Sequence, residues 1–238
     1  MKILGVDSTA TSASCSVYID GKIRALIYSN TGLTHSQTLL PMVDSALKTA
    51  GIDINDIDLF AVSNGPGSFT GVRIGVSAVK GLAQPLNKKC VTVSTLEAIA
   101  KPLENTGCYA VAVMDARCNQ VYTAQFNCLG GFKRVTEDEA ITIDELANRL
   151  LSVNQPIVLI GDGADVTYKK MSAVLPDVKK AVASVCYQSA ADVALIAAEK
   201  VESGEYSEQT ANDILPNYLR LSQAERELRV GKTKPNQT

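Results

Sequence analysis

The amino-acid sequence predicts an α/β protein of two lobes, each with a mixed sheet flanked by helices. The hydropathy pattern of the first hundred residues predicts three strands, followed in order by a helix, a strand, a helix, a strand and a helix. That order gives three antiparallel strands extended by parallel αβ units. The second half begins with the same pattern, so we interpret the chain as an internal duplication.

The three opening strands are "KILGVD", "SASCSVYID" and "GKIRALIYS". The second alternates apolar and polar residues, which is typical of a half-buried strand. Asp20 and Gly21 stand between the second and third strands and predict a tight hairpin turn.

A helix is predicted over "THSQTLLPMVDSALKTAG", whose apolar residues have helical spacing. Thr34 or Ser36 is placed to cap it and Gly51 to end it. The strands "IDLFAVS" and "KKCVTVS" follow, with a helix from about Phe69 to Leu82 between them. A further helix is predicted near "TLEAIAKPL", and we assign residues 1–104 to the first lobe.

The second lobe opens with "YAVAVMDARCNQVYTAQFNCLGGFKRV", which repeats the strand, terminal Asp, polar turn, strand, glycine turn and strand of the first. Helices are predicted at "TIDELANRLLS" and "SAADVALIAAEKVES", with the strand "PIVLIGDGAD" between them. We assign residues 105–215 to this lobe and 216–238 to a polar C-terminal tail. Two such lobes facing a cleft form the actin, Hsp70 and sugar-kinase architecture, a ribonuclease-H-like fold.

Composition excludes several classes of protein. The 238-residue chain has a formal net charge of -2, which disfavours binding of RNA or DNA by this chain alone. Its six cysteines form no Cys-x-x-Cys pair and predict reduced core thiols. The start of the sequence is too short an apolar run for a signal peptide, and no stretch predicts a membrane span. We therefore expect a cytoplasmic protein with no membrane contact.

The chain contains one histidine, His35. A Cys/His zinc site would need ligands at close spacing, and a Ser-His-Asp triad would have to use this residue. We interpret His35 as a polar residue at the start of a helix and expect no catalytic residue and no metal ligand.

In this architecture the cleft between the lobes binds nucleotide or phosphate, and we expect at most weak contacts of this kind here. Asp7 and Asp115 end the first strand of each lobe, and such an acid holds a metal-bound water or acts as a base. The alternative is that each caps its own turn through backbone bonds. The other candidates follow the first strand or lie in the "IGDGAD" turn: Ser8, Thr9, Gly161 and Gly163.

The loop "NGPGSFTGVRIG" resembles a phosphate-binding loop without the lysine of a Walker motif. Together with "GVDSTATSASCSV", "MDARCNQVYTAQF" and "PNYLR", it closely resembles the TsaB (YeaZ) family over nearly the whole chain. The resemblance implies a cytoplasmic bacterial protein required for threonylcarbamoyl modification of adenosine 37 in tRNAs that read codons beginning with A. It also implies two partners: TsaD, a sister enzyme of the same fold, and TsaE, an ATPase.

The resemblance further implies that this chain lacks the metal centre of the sister enzyme. TsaD-like proteins carry a His-x-x-x-His pair in a segment resembling "VSTLEAIA", and Thr95 and Ile99 stand at those positions here. Neither side chain offers the nitrogen that iron or zinc binds. We expect a non-catalytic subunit that organises TsaD with TsaE, without a cofactor of its own. The alternative is an autonomous ATP-dependent small-molecule kinase.

The resemblance implies that TsaB and TsaD meet through their first two helices, so a partner surface is predicted on the first two helices of this chain. On the second helix, Gly71 and Gly75 are one turn apart, and Ala78 and Leu82 continue on nearly the same side. Small residues at this spacing allow close approach of another helix, although packing on the chain's own sheet predicts the same pattern. The predicted surface consists of Leu39, Met42, Val43, Ala46, Gly71, Gly75, Val76 and Val79. The same surface predicts a homodimer when TsaD is absent.

The tail carries four basic residues, Arg226, Arg229, Lys232 and Lys234. They are candidates for contact with tRNA within the complex, and the alternative is a solvated polar terminus.

Overall fold

The computed structural model describes residues 1–206 and 209–220. Five strands form a first sheet: β1 (Lys2–Asp7), β2 (Ala13–Ile19), β3 (Lys22–Ser29), β4 (Leu59–Ser63) and β5 (Lys89–Val93). Their order across the sheet is β3-β2-β1-β4-β5. The first three strands are antiparallel, and β4 and β5 are added parallel to β1. This is the mixed sheet that the sequence predicts.

A second sheet is built in the same way. Its strands are β6 (Tyr109–Asp115), β7 (Gln120–Asn127), β8 (Lys133–Arg134), β9 (Glu139–Thr142), β10 (Ile157–Ile160) and β11 (Lys179–Lys180). The order is β11-β10-β6-β7-β8, with β9 also paired to β7. The pair β6 and β7 is antiparallel and β10 is parallel to β6, as β1, β2 and β4 are in the first sheet. The predicted duplication is therefore confirmed at the level of topology.

Six α-helices cover the faces of the sheets: α1 (His35–Ala50), α2 (Phe69–Ala83), α3 (Thr95–Ala100), α4 (Ile143–Leu150), α5 (Ala164–Met171) and α6 (Ala190–Glu202). Helices α1 and α2 pack on one face of the first sheet and α6 on the other. Helices α4 and α5 cover one face of the second sheet, and α3 covers its other face. Each sheet is thus enclosed between helical layers.

The helix ends follow from local sequence. Helix α1 begins after Thr34, whose side chain makes no capping bond, and ends at Gly51 in the left-handed conformation with φ of 69°. Ser68 caps α2 by accepting a hydrogen bond from the amide of Gly71. Ser94 caps α3 in the same way, because its side chain accepts a hydrogen bond from the amide of Glu97.

The sequence-based division of the lobes differs from the packing at two helices. The sequence places α6 in the second lobe (residues 105–215), but the apolar side of this helix packs on the first sheet against Ile3, Leu59 and Val91. Helix α3 was assigned to the first lobe, but Leu96 packs against the second sheet. Each sheet has two apolar faces, and the helices from its own half of the sequence cover only one of them. The other face is therefore covered by a helix from the other half of the sequence.

Residues 209–215, at the end of the predicted second lobe, and the described tail residues 216–220 pack against the lobes. Ala211 and Ile214 are buried in the core beneath α1 and α2. The amide of Asn217 donates to the carbonyl oxygen of Asn64 at 2.7 Å, and Arg220 Nη1 donates to the carbonyl oxygen of Ala116 at 2.8 Å. We call residues 209–220 the strap, because they run from the edge of the first sheet to the first hairpin of the second. The basic residues Arg226, Arg229, Lys232 and Lys234 lie outside the described residues.

Candidate functional site

A cleft of about 580 Å³ lies where the first hairpins of the two lobes face each other. Hydroxyl groups line its first-lobe side, and acidic and guanidinium groups line the other. The lining residues are Thr9, Ala10, Thr11, Gly67, Ser68, Phe69, Thr70, Met114, Asp115, Ala116, Arg117, Tyr122, Asp162 and Arg220. The volume is that of a small-molecule pocket.

Of the first-lobe residues predicted to contact nucleotide, Thr9 lines the cleft, whereas Asp7 and Ser8 do not. Asp7 is fully buried, and its Oδ1 accepts hydrogen bonds from the amide and hydroxyl of Thr9, both at 2.9 Å. Burial raises the pKa of Asp7, and these hydrogen bonds act in the opposite direction. The Ser8 hydroxyl donates to the carbonyl oxygen of Gly71 at 2.8 Å. Both side chains hold the hairpin turn in place.

In the second lobe, Asp115 lines the cleft and is exposed. Its Oδ1 accepts from the amide of Arg117 at 2.7 Å, so it caps its own turn. Its amide donates to Asp162 Oδ1 at 3.3 Å. Burial raises the pKa of Asp162 to about 6, although the hydrogen bond from the Asp115 amide acts to lower this pKa.

Gly161 and Gly163 lie against the backbone of β6 rather than in the cleft. A Cβ atom at Gly161 would lie 2.1 Å from the carbonyl oxygen of Val113, and one at Gly163 would lie 2.9 Å from the amide nitrogen of Asp115. The two glycines are therefore required by close packing of the turn after β10 on the neighbouring strand.

The glycine-rich loop before α2 serves the same purpose in the first lobe. A Cβ atom at Gly67 would lie 2.3 Å from the carbonyl oxygen of Thr9, and one at Gly71 would lie 2.1 Å from that of Ser8. The amide of Ser68 donates to Thr9 at 2.7 Å. The first amide at this helix start, which could bind an anion, is therefore used to hold the hairpin.

Comparison with known proteins decides the family. The family model described as TsaD, tRNA N6-adenosine threonylcarbamoyltransferase, matches residues 29–228. The tRNA threonylcarbamoyladenosine biosynthesis protein TsaB of Escherichia coli (strain K12) is 34% identical over 167 residues, which are 68% of this chain and 72% of that protein. The crystal structure of YeaZ from Pseudomonas aeruginosa has a TM-score of 0.76 at 25% identity, covering 91% of this chain and 100% of YeaZ. The chain belongs to the TsaB (YeaZ) family.

The architecture is shared more widely than the TsaB family. A ROK hexokinase from Thermus thermophilus matches with a TM-score of 0.52 at 11% identity, covering 84% of this chain and 100% of the hexokinase. This likeness shows the fold alone, and it confirms the predicted sugar-kinase-like class.

The structure corrects the predicted partner surface of this TsaB-family chain. All eight predicted residues are buried in the core of the first lobe. Leu39, Ala46 and Val79 are each 1% exposed or less. An apolar helical stripe looks alike in sequence whether it faces the core or a partner, and here the predicted stripe faces the chain's own sheet.

The outward side of the same two helices has few, separated apolar residues, and the sequence predicts two of them, Ala78 and Leu82, to lie on nearly the same side as the buried Gly71 and Gly75. Ile74, Ala78 and Leu82 recur at every fourth position of α2, are half-buried, and pack on the rim of the core. Leu40 projects from α1 and is 52% exposed. The spacing of Ile74, Ala78 and Leu82 is the signal that would have found this side. We call these four residues the outer strip.

Thr95 and Ile99 are both buried in α3. Ile99 packs against the second sheet. Within residues 1–206 and 209–220, no three His, Cys, Asp or Glu side chains form a group that could hold a metal ion. No helix of the described chain is long and apolar enough to span a membrane.

Proposed function

We propose that this chain is a non-catalytic subunit of threonylcarbamoyladenosine synthesis, which binds TsaD and organises it together with TsaE. The observation that carries this proposal is the outer strip on α1 and α2. Its residues are apolar and half-exposed or exposed, and the neighbouring Ser77 and Gly81 are small and exposed. A face of small and apolar residues on a helix pair suits docking of a second helix pair.

The proposal that the chain itself does no chemistry is supported by the residues at two places. Thr95 and Ile99 replace the histidine pair of TsaD-like proteins with side chains that do not bind iron or zinc. The loop that resembles a phosphate-binding loop and the "IGDGAD" turn both use their glycines for packing backbone against backbone. The chain then acts on TsaD by contacting one of its conformations more favourably than another.

We further propose that the chain works in the cytoplasm, needs no cofactor of its own, and contacts tRNA only within the complex. Its net charge of -2 gives no surplus for binding a phosphate backbone alone. The outer strip is apolar, so the strips of two copies of this chain can pack against each other. Two copies therefore pair through it when TsaD is absent.

An omission assay tests the role. TsaD, TsaE, ATP, threonylcarbamoyl-adenylate and unmodified tRNA are combined with or without this chain, and modified adenosine is counted by mass spectrometry. We expect modification that requires this chain, and none from this chain alone. Equal modification without it would contradict the proposal.

A binding assay tests the surface. Ser77→Arg and Gly81→Arg place a long charged side chain at exposed positions beside the outer strip, so the core is not disturbed. We expect each to weaken TsaD binding at least about tenfold, which is about 1.4 kcal/mol. The matched control is Val166→Arg on α5, a helical position that is 38% exposed in the other lobe. Equal binding by all three variants would reject this surface.

A further inference from the structure

Two cysteines of the second lobe stand opposite each other at the end of a hairpin. Tyr109 of β6 pairs with Asn127 of β7. The next pair outward is therefore Cys108 and Cys128, and the amide of Cys128 donates to the carbonyl oxygen of Cys108 at 3.0 Å. The amide of Gly107, one residue before Cys108, donates to the carbonyl oxygen of Cys128 at 3.1 Å, so backbone bonds on both strands hold the two cysteines at the end of the ladder.

This placement suits a bond between the two sulfur atoms. Directly opposed residues on antiparallel strands have Cα atoms about 4.5 to 5.5 Å apart. Disulfides most often join Cα atoms separated by about 5.5 to 6 Å. The Thr106 hydroxyl donates to Cys108 Sγ at 3.2 Å, and the interaction between the two thiols shifts their pKa values in opposite directions.

We propose that Cys108 and Cys128 form a reversible disulfide when the chain meets a peroxide, which makes this hairpin end a site of oxidative modification. The function proposed above does not depend on it. Other cysteines lack such a partner by position: Cys15 and Cys90 lie in the first sheet, and Cys118 is exposed at the turn between β6 and β7.

The roles of the two sulfur atoms differ. The hydrogen bond from Cys128 lowers the pKa of Cys108 to about 6; burial opposes this shift and the Thr106 bond adds to it. The same contact raises the pKa of Cys128. Cys108 is 5% exposed and Cys128 is fully buried, and Thr106 beside them is exposed. Cys108 is therefore the thiolate that attacks, and Cys128 is the thiol that resolves.

The chemistry balances with hydrogen peroxide as the oxidant. The Cys108 thiolate attacks one oxygen, the S–O bond forms, the O–O bond breaks, and hydroxide leaves and takes up a proton as water. Cys128 then attacks the sulfenic sulfur, the S–S bond forms, the S–O bond breaks, and the oxygen leaves as a second water. Two thiols lose two electrons, and one peroxide is reduced to two waters.

The test requires a defined background, because trypsin leaves Cys90 and Cys108 in one peptide (90–117) and Cys118 and Cys128 in another (118–133). The full chain carrying Cys90→Ser and Cys118→Ser is treated with hydrogen peroxide while folded. It is then alkylated in denaturant and digested without reduction. We expect the two peptides to be joined, lighter by two hydrogen masses than their sum, and separated again by dithiothreitol.

Adding Cys128→Ser to this background separates the two roles. We expect loss of the joined peptide and accumulation of a sulfenic acid on Cys108, trapped by dimedone. Adding Cys15→Ser instead is the matched control and leaves the joined peptide unchanged. Circular dichroism confirms that each variant is folded. Absence of the joined peptide in the folded background protein would overturn the proposal, as would dimedone labelling that spares Cys108.

Discussion

The ring of Tyr218 in the strap lies on the ring of Phe69, the first residue of α2, with their centroids 4.2 Å apart and their planes 6° from parallel. Arg73, one turn along α2, places its guanidinium 5.4 Å and 5.6 Å from the two ring centroids. Its Nε donates to the Tyr218 hydroxyl at 2.8 Å. The strap is therefore fastened to the same helix that carries most of the outer strip.

Substitution of Tyr218 is expected to loosen this contact in two steps. Tyr218→Phe removes the hydrogen bond from Arg73 and is expected to cost about 1 kcal/mol of unfolding free energy. Tyr218→Ala also removes the stacked ring and is expected to cost about 2 kcal/mol. Urea denaturation measures both. Equal stability of the wild type and Tyr218→Ala would show that the stack contributes nothing.

Substitution by alanine is expected to change the stability of the chain in opposite directions at two glycines of α2. Gly71→Ala places a methyl group against the carbonyl oxygen of Ser8, a contact of 2.1 Å, and is expected to cost at least about 2 kcal/mol. Gly81 has open space around it, so Gly81→Ala is expected to stabilise the chain by about 0.5–1 kcal/mol. Thermal and urea unfolding of the pair give the comparison. A stabilising Gly71→Ala would contradict the packing of this loop.

Asp192 in the first turn of α6 is expected to make stability depend on pH. Burial raises its pKa from 3.8 to about 7; Lys101 opposes this shift, and the charge of Asp7 adds to it. Between about pH 4 and 7 the folded chain holds a proton that the unfolded chain releases, so stability falls as pH rises through this range.

Replacing Asp192 by asparagine removes the fall in stability that accompanies the rise in pH, because asparagine does not titrate. Relative to Asp192→Asn, the wild type is expected to lose on the order of 2–3 kcal/mol of unfolding free energy between pH 5 and pH 8. Urea titrations of both proteins at several pH values measure the difference. Parallel stability curves would show that the Asp192 carboxyl titrates near its ordinary pKa.

The cleft is expected to give no heat with ATP and magnesium in calorimetry of the isolated chain. The amide of Ser68 at the start of α2 is bonded to the carbonyl oxygen of Thr9, and Asp115 and Asp162 place acidic groups on the opposite wall. A control titration with a nucleotide-binding protein of the same fold establishes the sensitivity. Saturable heat with this chain would favour the kinase alternative.

Local features of the fold could be predicted from the sequence. The Asp20 and Gly21 turn, the end of α1 at Gly51 and the strand ending at Asp115 each depend on the conformational preferences of the residues at that place. Strand β11 was not predicted, because two lysines carry no apolar pattern. The short strand β9 is specified by its pairing with β7.

The candidate surface could be predicted only to the level of the helices. Val76 and Ile74 are both apolar residues of α2, but Val76 is 3% exposed and Ile74 lies at the rim of the core. Which one faces outward depends on where α2 sits on the sheet, and that is fixed by distant contacts such as Ser8 with Gly71. Hydrophobic periodicity carries no information about those contacts.

The position of α6 has a consequence for synthesis of the chain on the ribosome. The face of the first sheet that carries Ile3, Leu59 and Val91 is covered by α6, which begins only at residue 190. Roughly a hundred residues separate β5 from that helix, which at ~5–20 residues per second is a delay of about 5 to 20 seconds. During this interval the nascent first lobe presents a bare apolar sheet, while the second lobe is being completed behind it. The half of the protein made first is therefore the half that finishes folding last.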